Sequence, residues 1–187
     1  MPSSSGQFHS ALRYEQYLVT ATENHSDAGR RSMTLHRSIR PQEQLIAGFQ
    51  REMKILVHSG IWCGDCVGQC PLIQRIAEAN PAQIDLSFLE REMNRELNEE
   101  LRPNGRGLVP VVQCFSEDGL WCATPADRTL NRYRAPASKR LGSRCPTGIL
   151  PPEKGEVEAT PTDLPNEVER VQLMPLLTPR LDEKHQD

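Results

Sequence analysis

Ile55-Leu56-Val57-His58-Ser59-Gly60-Ile61-Trp62-Cys63-Gly64-Asp65-Cys66-Val67 is the stretch on which the fold turns. The apolar run Ile55–Val57 reads as a strand, and a helical pattern begins at about Val67. Two cysteines with two residues between them, at the junction of a strand and a helix, read as a redox dithiol. A helix N-terminus supplies free N–H groups and partial positive charge, which lowers the pKa of a cysteine placed there. The expected nucleophile is therefore Cys63, ahead of the helix, with Cys66 inside it.

Outward from that junction, the chain alternates strand and helix. Lys54 to His58 reads as the first strand, its apolar run Ile55–Val57 unbroken as expected of a strand covered on both faces. The following helix carries Leu72, Ile73, Ile76 and Ala77, contains Pro71 and stops at Asn80-Pro81. Ile84–Leu89 reads as a second strand, and Asn94 as the N-cap of a short helix through Leu101. Val109–Phe115 and Leu120–Ala123 read as a hairpin around Glu117-Asp118-Gly119. Before the first strand, Ala11–Glu23 and the segment from Pro41 through Phe49 have helical spacing. The order β-α-β-α-β-β predicts an α/β architecture with a mixed sheet flanked by helices.

The chain has 187 residues, 37% of them hydrophobic, enough for one core of ordinary size. Its formal net charge of −3 comes from mixed charges without a basic block, which argues against a nucleic-acid partner. No apolar stretch approaches the ~20 residues of a membrane span. Met1–Gln7 lacks a cationic segment followed by an apolar one, so the expected compartment is the cytoplasm. Thiols there stay mostly reduced, and six cysteines then suggest a working dithiol with bystanders rather than a disulfide framework. The expected domains are a flexible N-terminus over 1–9, a folded domain over 10–135, and a Pro-rich, largely disordered tail over 136–187.

With these elements in place, the chain resembles the thioredoxin superfamily. The matching features, in order, are Trp62-Cys63-Gly64-Asp65-Cys66 after a strand, Pro71 in the helix that follows, Val109-Pro110 opening a later strand, and the closing hairpin. It is most similar to the bacterial thioredoxin-like branch with a Trp-Cys-Gly-Asp-Cys site. Arg91-Glu92-Met93-Asn94 and the extra N-terminal helices also fit that branch. The resemblance covers about residues 11–134.

The resemblance implies a protein-disulfide oxidoreductase without a cofactor. Cys63 would attack the substrate and Cys66 would resolve the mixed disulfide. Trp62, Gly64 and Asp65 would shape the site, with Asp65 opposing deprotonation of the thiols. Val109 would offer its backbone to an extended substrate, and the Val109–Pro110 bond would be cis. Implied partners are protein thiols or disulfides and a reductant such as a thioredoxin reductase or the glutathione system.

The chain departs from the family in two places. No acidic residue lies between Lys54 and Trp62 to serve as a base beneath the dithiol, leaving His58 as the one candidate. The family's last helix is truncated or missing after Arg134, and only Pro165–Leu177 could replace it, through Val168, Val171 and Leu173. The expectation leans to a free tail. Two other readings stay open. One is a non-catalytic interaction module on the same fold. The other is a metal site of Cys63, Cys66, Cys70 and Cys114, disfavoured because no second Cys-x-x-Cys accompanies the first. Cys70 reads as a buried small residue before it reads as a third thiol.

Overall fold

Alternation along Met53–Ser59 (β1) decides how the molecule is layered. Met53, Ile55 and Val57 belong to one apolar cluster, and Leu56 belongs to another. Successive strand residues point to opposite faces, so each face of the sheet has its own core. In the computed structural model of the chain, residues 8–20, 39–125, 133, 134, 137, 140 and 156–186 are described.

Four strands form one sheet in the order β2-β1-β3-β4, with β2 at Ile84–Glu90, β3 at Val111–Ser116 and β4 at Trp121–Ala123. β1 and β2 run parallel; β3 is antiparallel to β1 and to β4. The sheet is mixed and flanked by helices, as the sequence predicts. The hairpin turns on Gly119, whose φ of 79° suits a residue without Cβ. Leu12 extends the other edge by exchanging both backbone hydrogen bonds with Phe88 at 2.8 Å.

The larger core lies under Tyr14–Leu18 (α1), Arg40–Ala47 (α2) and Gly64–Ala79 (α3). On the opposite face Leu56, Leu89 and Phe115 pack with Leu97 from Arg95–Glu100 (α4). Phe8 sets its ring edge-on to Phe115, so the expected flexible N-terminus is corrected at that residue. The N-terminal helix is also shorter than its apolar spacing predicts; residues 1–7 and 21–38 lie outside the described residues. Asn94 occupies the N-cap of α4 without a side-chain cap; its amide donates to Glu90 O at 2.8 Å instead.

The tail departs most from expectation. Glu156–Leu176 (α5) is helical through Pro161, Pro165 and Pro175, and Pro179–His185 (α6) follows it. Leu164, Val168 and Val171 recur at helical spacing and join the larger core, with Leu181 fully buried beyond them. Leu173, two residues past Val171, points to the other side and is 44% exposed. The missing last helix and the disordered tail therefore do not hold for residues 156–186. Residues 141–155, including Cys145, lie outside the described residues. Each internal proline removes one helical hydrogen bond, and burial of the apolar stripe offsets that loss.

Polar contacts complete the docking. Gln172 donates to Arg51 O at 2.7 Å, and Lys184 donates to Glu117 in the hairpin turn at 2.5 Å. Burial alone would raise the Glu117 carboxyl, but the hydrogen bonds from Lys184 and His185 hold it below its ordinary 4.5. Its contribution to stability is present above that value and fades as pH falls below it.

Candidate active site

Cys63 is the N-cap of α3, with extended backbone (φ −88°, ψ 123°), and Cys66 sits one turn in. The loop from β1 makes this geometry. Cys63 N donates to Gly60 O at 2.8 Å, and Gly60 N donates to Cys66 Sγ at 3.5 Å. Gly60 has a steric reason to lack a side chain, since a Cβ there would lie 2.7 Å from the Trp62 ring. The indole is 44% exposed, with the Arg91 guanidinium 5.4 Å from its centroid. Such a cation–π contact is worth about 0.5–1 kcal/mol at an exposed site. Gly64 is different: a Cβ there would meet nothing within 4 Å, so no steric demand places glycine between the cysteines.

The two sulfurs are near enough for each to shift the other's acidity. Cys63 is half-buried, and Cys66 is 1% exposed. Opposite them the Val109–Pro110 bond is cis, and the Cys63 thiol donates to the Val109 carbonyl at 3.4 Å. The backbone of Val109, expected to face a substrate strand, thus accepts the Cys63 proton in this state.

The acidity of Cys63 follows from competing contacts, and it reverses the expectation of a lowered pKa. The hydrogen bond it shares with Cys66, together with burial, pushes the thiol above its ordinary range. The backbone N–H groups of Cys66 and Asp65 at the start of α3 pull the other way without prevailing. Burial also pushes Cys66 up. Iodoacetamide labelling should therefore reach Cys63 before Cys66, because only Cys63 is accessible. Its rate should climb about tenfold per pH unit from 7 to 9, as the thiolate fraction does below a thiol's pKa. A plateau already at neutral pH would contradict the raised thiol.

His58 does not lie beneath the dithiol. Ser59, its neighbour on β1, faces Cys70, so His58 faces the opposite side of the sheet. There it is fully buried, and among the described residues neither ring nitrogen has a hydrogen-bond partner. Burial, and secondarily the Arg91 charge, push its pKa down to about 4. The unfolded chain binds the proton near 6.5, so stability present above that pH is lost as pH falls toward about 4. The loss is roughly 3 kcal/mol. His58→Leu should flatten this part of a urea-denaturation pH profile, whereas an unchanged slope would remove His58 as its cause.

Sequence reasoning missed the buried polar groups that meet Cys70, on the helix that carries the dithiol. Ser59 Oγ sits 3.2 Å from Cys70 Sγ and 2.7 Å from the Tyr17 hydroxyl, all buried. Serine at a strand end carries no distinctive signal; the one available hint was a hydroxyl inside an otherwise apolar run. Arg91-Glu92-Met93-Asn94 forms a turn pinned by Glu90, whose carboxylate accepts from Glu92 N at 2.6 Å and Met93 N at 3.0 Å. Among the described residues no three His, Cys, Asp or Glu side chains converge as a metal-ligand set. No helix among them is long and apolar enough to cross a membrane.

Comparison with known proteins agrees with this architecture. The profile of a family described as Thioredoxin matches residues 11–127. No curated protein matches. Among solved structures, a protein of unknown function from Pseudomonas aeruginosa superposes with a TM-score of 0.64 at 14% identity, covering 91% of this chain and 97% of its own. An HIV epitope-scaffold gives 0.62 at 14% identity with the same coverage. At such identity these two likenesses concern the fold alone.

Proposed function

This chain belongs to the thioredoxin family, and on that premise we propose that it is a thiol–disulfide oxidoreductase acting on protein substrates through Cys63 and Cys66. The observation that carries the proposal is the pairing of a half-buried sulfur at a helix N-cap with a buried one a single turn into the same helix. The Cys63 thiolate attacks a substrate disulfide, forming a mixed disulfide and releasing one substrate thiolate. Cys66 then loses its proton and attacks Cys63 Sγ, releasing the second substrate thiolate. The protein is left with a Cys63–Cys66 disulfide, and the two electrons have passed to the substrate. Run backward, the same steps oxidise a substrate dithiol.

Trp62 and the Val109–Pro110 turn flank Cys63 and form the surface on which a substrate segment would lie. The proposed setting is the cytoplasm, with a thioredoxin reductase or the glutathione system returning the disulfide to the dithiol. Reduction of insulin by dithiothreitol tests the proposal. Catalytic amounts of the protein should accelerate it, and no acceleration would favour an interaction module that keeps the fold without the chemistry.

A further inference from the structure

The helix that carries the dithiol carries a third sulfur on the same side. Cys66 lies three residues past Cys63 and four before Cys70, about one helical turn from each, so the three fall on one side of α3. Cys70 is 2% exposed, and its sulfur ends a buried chain of hydroxyls, Tyr17 to Ser59 at 2.7 Å and Ser59 to Cys70 at 3.2 Å. Buried hydroxyls require partners, and here the chain runs to a thiol rather than to a backbone carbonyl. Cys66 is thus the middle member of a row of three sulfurs that runs from the surface into the core.

From this row we propose that Cys70 is a working thiol, exchanging with the Cys63–Cys66 disulfide to form a buried Cys66–Cys70 disulfide. The inference rests on the disulfide-exchange reading above. Cys70, as thiolate, attacks Cys66 Sγ. The Cys66–Cys70 bond forms, the Cys63–Cys66 bond breaks, and the electron pair leaves on Cys63, which takes up the proton that Cys70 gave. Nothing is oxidised overall, so no further oxidant is needed. The oxidised protein then presents a free thiol at its surface and can attack a second disulfide before it is reduced.

The geometry allows the bond. Residues four apart in a helix have Cα atoms about 6.2 Å apart, inside the roughly 4.4–6.8 Å range of disulfides. Their Cβ atoms must close from about 5–6 Å to about 3.5–4.5 Å. The turn that must tighten is the one spanned by Val67 and Pro71, where proline supplies no N–H to the Val67 carbonyl. That turn is therefore freer to contract than a regular one. The Ser59 hydroxyl, already at the Cys70 sulfur, can donate to the Cys70 thiolate from which the exchange starts.

The test maps thiols and does not depend on turnover. Wild-type protein and Cys70→Ser are oxidised with diamide, alkylated without reduction, and the 55–75 peptide is fragmented in a mass spectrometer. The proposal predicts that oxidised wild type keeps a fraction with Cys63 alkylated and Cys66 and Cys70 joined. In Cys70→Ser, Cys63 labelling should be lost completely. Oxidised Cys63→Ser should give the Cys66–Cys70 bond alone. Only Cys63–Cys66 in wild type, or two free thiols in a folded Cys63→Ser, would overturn it. Because diamide is the oxidant, failure here leaves the insulin assay untouched, and failure of that assay leaves the thiol map readable.

Discussion

Cys63→Ser is expected to bring disulfide-exchange turnover down to the background set by dithiothreitol alone. Cys66→Ser should instead leave the protein caught on its substrates. The difference follows from position. Cys63 is the sulfur that solvent reaches, so without it no mixed disulfide forms. Cys66 is buried behind it, so its loss spares the first attack and removes the second. Non-reducing gels with a disulfide-bonded substrate should show a covalent adduct for Cys66→Ser and none for Cys63→Ser. Equal trapping by both variants would contradict the roles assigned here. If Cys70 resolves in place of Cys66, the adduct will be short-lived and a Cys63–Cys70 bond will replace it, an outcome fragmentation of the same peptide detects.

The second large effect concerns the C-terminal helices. Removing residues 156–187 should leave a chain that does not hold its native fold. The segment buries Leu164, Val168, Val171 and Leu181, and each fully buried side chain of this kind contributes about 1.5–3 kcal/mol. The sum is comparable with the whole stability of a domain, about 5–15 kcal/mol. A milder variant keeps the effect measurable: Leu181→Ala should cost about 2–5 kcal/mol in urea denaturation, as fully buried leucines do. An unchanged urea midpoint in both variants would mean that α5 and α6 rest on the sheet without completing its core.

Much of the fold was legible because it is written in short, strongly patterned runs. Ile55–Val57, Ile84–Leu89 and the hairpin around Asp118-Gly119 each combine an apolar run with a turn signal, and all fall where the strands lie. The last helix was illegible for the converse reason. Three prolines interrupt its sequence, and its stripe of Leu164, Val168 and Val171 gains meaning only against a core built by residues a hundred positions earlier. The cysteine pair was legible from spacing, but its acidity was not. A helix N-terminus argues for a lowered thiol, and the sulfur-to-sulfur hydrogen bond that reverses it belongs to the folded loop. His58 misled because sequence order does not tell which face of a strand meets the dithiol. One residue further on, Ser59 faces Cys70 on the helix that carries the dithiol.

Redox titration of the purified protein against glutathione or dithiothreitol buffers, scored by alkylation of the 55–75 peptide, tests the central claim most directly. A two-electron transition is expected in which Cys66 loses its labelling completely and Cys63 loses it in all but the fraction where Cys66 is joined to Cys70. The absence of a charge-stabilised Cys63 thiolate gives the reduced form no special advantage, so the midpoint should lie at or below the glutaredoxin range of about −200 to −230 mV. A dithiol that stays reduced at every poise, with Cys63 and Cys66 labelled throughout, would contradict disulfide exchange at this site.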